Sequence, residues 1–146
     1  MNASDVVDET CWTPLNLTYY HSTYINSKAL AEKEALKYKK HGIEVVCLAY
    51  NGFLDPPLIG AHIFAMEKSE MNGRYLVVND FLKTAEIASL VQKHYPDIAI
   101  PPEFIEDTKE TKWGSRKLQD LGFVYKFDAD KIIYDSIACA KRFGAI

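Results

Sequence analysis

The sequence has no strong excess of either charge and no long apolar run. Its 146 residues include 17 basic and 20 acidic side chains, which give a formal net charge of −3. Without a basic block, neither nucleic acid nor an anionic membrane surface is expected as a partner. No apolar stretch approaches the roughly 20 residues that cross a bilayer, and residues 1–9 are polar and acidic, unlike a signal segment. These absences predict a cytoplasmic protein.

Cysteine is also scarce. The three cysteines, Cys11, Cys47 and Cys139, are odd in number and far apart, which favours reduced thiols over a disulfide framework. The four histidines do not fall in a zinc-like spacing with them, so no metal site is expected.

What the sequence does contain is an alternation of helical and strand-like segments. Ala, Glu and Lys dominate the first helical segment, which Gly42 ends as a C-cap glycine would. The β-branched, apolar run that follows is typical of a buried parallel strand. Residues 1–20 and the proline-rich stretch after Pro96 are predicted to be irregular, and Thr84 is a candidate N-cap. The pattern predicts helices at 22–41, 59–68, 84–95, 115–121 and 129–143, and strands at 43–49 and 75–78.

Two residues of the first helical segment form a candidate catalytic pair. Tyr24 and Lys28 are four residues apart, so their side chains are expected on one helix face. At about 6 Å and an effective dielectric of about 20, an ammonium stabilises a phenolate by about 3 kcal/mol. Such a tyrosine is a usable acid near neutral pH. Spacing alone favours a surface pair that covers apolar neighbours.

The surrounding residues favour the catalytic interpretation. Val7-Asp8-Glu9 and Trp12 precede Tyr24-Ile25-Asn26-Ser27-Lys28, and Ala31-Glu32 follows. This pattern resembles the extended short-chain dehydrogenases, in particular the dihydroflavonol reductase and cinnamoyl-CoA reductase group. The resemblance continues through Gly73-Arg74-Tyr75 to the block 117–122, so it covers nearly the whole chain.

The resemblance implies an NADPH-dependent reductase of small carbonyl substrates. Tyr24 would donate a proton to the substrate carbonyl oxygen, and Lys28 would hold the nicotinamide ribose. Tyr50 stands near the place of a family proline that approaches the nicotinamide, so it is expected to contact the cofactor. The implied fold is α/β: a single partial domain over 1–146, equivalent to the carboxy-terminal half of a Rossmann-type reductase with small substrate-domain elements.

The sequence departs from the family at several points. It contains no G-x-G-x-x-G phosphate loop, and the family's catalytic serine would fall before Met1. Pro57-Leu58 leads almost at once into the Ala61-His62 helix, so much of the segment that shapes the substrate pocket is expected to be missing.

These departures leave two further hypotheses open. The first is that the chain is a noncatalytic fragment or binding module and not an active reductase. The second, a minor alternative, is that it is related to a sugar epimerase or a hydroxysteroid dehydrogenase. Strands that normally flank the segment 43–49 would be missing, which predicts association through an exposed sheet edge.

Overall fold

The computed structural model describes residues 6–15, 18, 22–50, 56–78, 82–101, 103 and 112–146. Within them the chain is mixed α/β, as predicted. The strands are β1 Val6–Val7, β2 Val46–Tyr50, β3 Gly73–Val77 and β4 Lys112–Trp113. The helices are α1 Ser22–Lys37, α2 Pro56–Glu67, α3 Thr84–His94, α4 Lys117–Asp120 and α5 Ala129–Arg142, and a 3-10 turn, Tyr38–His41, extends α1.

The centre of the fold is a β-α-β unit. β2 and β3 pair in parallel, with Val46 opposite Gly73 and Tyr50 opposite Val77, and α2 connects them as parallel strands require. Both strands therefore end at the same edge of the sheet. The parallel pairing agrees with the apolar, β-branched character of the first predicted strand.

The core lies where α2 and α4 cover this unit. Its buried members are Ala61, Met71, Tyr75, Val77, Leu118 and Phe123. The side chain of Leu118 is 1% exposed. The Phe123 ring meets the rings of Phe64 and Tyr125 edge to face, at centroid distances of 5.4 and 5.0 Å, an arrangement that aromatic quadrupoles favour.

Several predicted boundaries shift in the structure. The strand predicted at 43–49 begins only at Val46, and Ile43 is 53% exposed. Gly42 adopts a left-handed conformation, with φ of 77°, so the predicted C-cap is confirmed. The predicted Thr84 cap is wrong, because Lys83 occupies the N-cap position. The backbone N–H of Lys83 donates a hydrogen bond to the Glu86 carboxylate at 2.7 Å.

The segments predicted to be irregular contain one more strand pair. β1 and β4 align in parallel, Val6 opposite Lys112. Two-residue strands carry no alternation that a sequence pattern could reveal. Among the helices of the described ranges, none has the length and apolar character that crossing a membrane requires.

Candidate active site

The first two turns of α1 carry the candidate pair. Alanine, glutamate and lysine make α1 a good helix former. The Ser27 hydroxyl donates to the Tyr24 carbonyl oxygen at 2.7 Å, and the Asn26 side-chain amide donates to the Leu15 carbonyl oxygen at 3.3 Å. The second contact ties the beginning of α1 to the segment that precedes it.

Tyr24 and Lys28 lie together on an exposed face. The Lys28 Nζ is 5.3 Å from the centroid of the Tyr24 ring, and the Tyr24 side chain is 56% exposed. In the part of the chain that the structure describes, no carboxylate forms an ion pair with Lys28. The pair is therefore open to a ligand from solvent, and its catalytic role stays a prediction.

Tyr50 is the last residue of β2 and is 43% exposed. α1 contacts β2, and the chain turns back between them at Gly42. In such a unit the beginning of the helix lies toward the end of the strand. The connectivity therefore brings Tyr50 to the edge of the sheet toward which the beginning of α1 lies. Strand alternation places its side chain on the face of Val46 and Leu48, opposite α1, and its contact with a cofactor stays a prediction.

A second polar cluster joins α1 to β3. The Arg74 Nε lies 2.7 Å from the Glu32 Oε1, and the two side chains are 12% and 16% exposed. The same guanidinium donates to the carbonyl oxygen of Glu9 at 3.0 Å and to that of Cys11. Its Cζ also lies 4.4 Å from the Trp12 ring centroid. Arg74 thereby connects three separate parts of the chain.

Further contacts extend this cluster past β3. The Glu9 carboxylate accepts hydrogen bonds from the Leu76 backbone N–H, at 3.1 Å, and from the Ser115 hydroxyl. Lys117 donates to the Arg74 carbonyl oxygen at 2.7 Å. Sequence reasoning recognised the blocks that contain Glu9, Glu32 and Arg74 but did not bring them together.

The cluster also acts on a neighbouring thiol. Cys47 lies opposite Arg74 in the β2–β3 register. Burial raises the pKa of the Cys47 thiol, the negative charge of Glu32 raises it further, and the positive charge of Arg74 lowers it. The pKa of Cys47, on the strand beneath α1, therefore depends on the charges of both Glu32 and Arg74.

A separate apolar groove of about 390 Å³ lies between α2 and the segment after α4. It is lined by Pro57, Gly60, Ile63, Phe64, Glu67, Gly122, Phe123, Val124, Tyr125, Lys126 and Phe127. The Tyr125 hydroxyl accepts a hydrogen bond from the Val78 backbone N–H at 3.1 Å, and burial raises the pKa of this tyrosine. No group of three potential metal ligands occurs among the residues with described positions.

The chain is similar to several plant enzymes. No family model matches it. A noscapine synthase of Papaver somniferum is 24% identical, covering 99% of this chain and 55% of its own length. A dihydroflavonol 4-reductase of Callistephus chinensis is 25% identical, and the match covers 95% of this chain and 50% of that relative. An anthocyanidin reductase of Vitis vinifera is 31% identical, and the match covers 59% of this chain and 26% of that relative.

These homologues confirm the predicted relationship to the dihydroflavonol reductase group of extended short-chain dehydrogenases. The chain spans about half the length of the relatives that match nearly all of it. The noscapine synthase match extends over 192 residues, although the chain has 146. The matched part of that relative therefore contains several tens of residues without a counterpart here.

Proposed function

We propose that this chain carries the proton-donating part of an NADPH-dependent carbonyl reductase. The observation that carries the proposal is the exposed Tyr24 with the Lys28 ammonium 5.3 Å from its ring centroid. A tyrosine hydroxyl open to solvent is a group that can act as a general acid. Relatives named as dihydroflavonol and anthocyanidin reductases support the same chemistry.

In the proposed reaction a carbonyl group becomes an alcohol. NADPH, when bound, supplies hydride to the carbonyl carbon. Tyr24 transfers its phenolic proton to the carbonyl oxygen, and Lys28 stabilises the resulting phenolate until solvent returns a proton. The net reaction consumes one carbonyl group, one NADPH and one proton from solvent, and it yields one alcohol and one NADP⁺.

The residues present fit one end of NADPH better than the other. The exposed Lys28 ammonium has three donors that suit the hydroxyls of the nicotinamide ribose, and Tyr50 offers an exposed ring at the carboxyl end of β2. For the diphosphate, the sequence offers no glycine-rich loop. We therefore assign Tyr24, Lys28 and Tyr50 to the nicotinamide end only.

One titration tests cofactor binding. The purified chain is titrated with NADPH by calorimetry, beside Lys28→Ala and an exposed control, Lys39→Ala on the 3-10 turn. We expect Lys28→Ala to weaken binding at least about tenfold, the loss of one charged hydrogen bond, and Lys39→Ala to have no effect. Equal affinity in all three would remove Lys28 from the site.

A second assay tests the acid. With a dihydroflavonol as probe, we expect Tyr24→Phe to lower kcat by about a hundredfold or more, a usual loss for a general acid. Tyr38→Phe, an exposed tyrosine on the same helical segment, should retain activity. Undiminished turnover by Tyr24→Phe would refute the assigned role.

A noncatalytic binding module is the second candidate, favoured by the surface of α2. Three residues at helical spacing, Ile59, Ile63 and Met66, are 64%, 49% and 79% exposed. A helix apolar on several faces is usually covered, and β2 has a single hydrogen-bonded neighbour among the described strands. Association through this sheet edge would cover such surfaces. Absence of NADPH binding at millimolar concentration would favour this candidate.

A further inference from the structure

The helix that carries the candidate pair has little apolar attachment. Of its 16 residues only Ala29 is buried, while Tyr24 and Leu30 are 56% and 52% exposed. Apolar burial scales with the area removed from water, so it contributes weakly here. Polar contacts therefore add to the attachment that the half-buried Ile25, Ala35 and Leu36 give α1.

Glu32 makes the most shielded of these contacts. Tyr24, Lys28 and Glu32 follow one another at intervals of four residues, so they form one row along α1. Glu32 reaches Arg74 on β3 at 2.7 Å, and both side chains are largely shielded from water. The row thus begins in solvent at Tyr24 and ends in an ion pair against the sheet.

Lys28 stands between two possible neighbours in this row. A lysine and a glutamate four residues apart on a helix attract each other, so an unpaired Glu32 would compete with Tyr24 for the Lys28 ammonium. The Glu32 carboxylate is instead occupied by Arg74, which Trp12 and two carbonyl oxygens hold in place.

We propose that Arg74 is a positioning residue that sequesters the Glu32 carboxylate and so keeps the Lys28 ammonium beside Tyr24. Its catalytic consequence rests on the proposed carbonyl reduction. Its structural consequence, the location of Lys28, does not depend on that activity. Both consequences can be measured with Arg74→Met and Glu32→Gln, singly and combined.

Sequestration and simple tethering predict different activities for these variants. If Arg74 sequesters Glu32, Arg74→Met lowers kcat about tenfold because Lys28 is drawn away from Tyr24. Glu32→Gln and the double variant then stay within about threefold of wild type, since no carboxylate is left to compete. If the ion pair only tethers α1, all three variants lose activity alike, and the proposal is overturned. Arg116→Met, an exposed arginine, is the matched control.

Crystal structures of the same proteins give a readout that needs no turnover. In Arg74→Met we expect the Lys28 Nζ within about 4 Å of the Glu32 carboxylate, the distance of an ion pair. In wild type and the double variant it should remain over the Tyr24 ring. A Lys28 that stays over that ring in Arg74→Met overturns the proposal, whatever the activities are.

Two provisions keep this test decisive. If Arg74→Met does not fold, Arg74→Lys takes its place. The new ammonium still engages Glu32, so we expect activity within about threefold of wild type. A larger loss that Glu32→Gln shows as well contradicts sequestration. If wild type reduces no carbonyl while Lys28 moves as expected, the proposed function fails and the positioning of Lys28 by Arg74 stands.

Discussion

The two sides of the β2–β3 sheet are held together by different kinds of interaction. On the side of α2 and α4, apolar residues such as Leu118 and Phe123 are removed from water. On the other side, α1 itself buries only Ala29, and an ion pair with its hydrogen bonds connects it to the sheet. The hydrophobic effect is non-directional, whereas a charged hydrogen bond depends on the directions of its donor and acceptor. The side that carries the candidate catalytic pair is therefore the one held by charge.

Breaking the ion pair should have the largest effect on stability. Arg74→Met removes the shielded partner of Glu32. The exposed Lys28 ammonium can replace that partner only in part, so the cost should approach the roughly 3 to 5 kcal/mol of the free energy of unfolding that breaking a buried pair takes. Urea unfolding measures this cost. The double variant with Glu32→Gln should recover much of it, since no unpaired charge remains, and Arg116→Met should cost almost nothing. Equal costs for Arg74→Met and Arg116→Met would mean that charge does not hold this side.

A truncation in the core tests the opposite side. Leu118→Ala removes a side chain that is 1% exposed and should cost about 2 to 5 kcal/mol, because it loses burial and leaves a cavity. Leu30→Ala, the same substitution on α1 at 52% exposure, should change stability by less than about 0.5 kcal/mol. A comparable loss for Leu30→Ala would show that α1 has an apolar attachment after all.

The local part of this architecture could be predicted from sequence. α1, β2 and α2 follow from helical composition, an apolar β-branched run and the break at Gly42, all of which act over neighbouring residues. The proximity of Tyr24 and Lys28 is equally local, since four residues make about one helical turn. The strands β1 and β4 were missed because two residues show no period.

The polar cluster could not be predicted in the same way. Arg74 and Glu9 are 65 positions apart, and Arg74 and Glu32 are 42 apart. No periodicity connects residues at such separations, so each block was recognised by itself while their contact was not. Tyr50 is an intermediate case, because its place at the end of β2 follows from the strand but its role depends on the family resemblance alone.

The smallest expected effect is on the thiol of Cys47, and it separates the two charges of the ion pair. Glu32 raises the pKa of Cys47 and Arg74 lowers it, so Glu32→Gln should increase the thiolate fraction at pH 8 and Arg74→Met should decrease it. The thiolate is the reacting form; alkylation by iodoacetamide should therefore become faster in the first variant and slower in the second. Mass spectrometry of the Cys47 peptide measures the rate, with the exposed Cys139 as an internal control. Because general loosening of α1 would expose Cys47 and speed its alkylation in both variants, only changes of opposite sign show that the charges themselves act across the sheet.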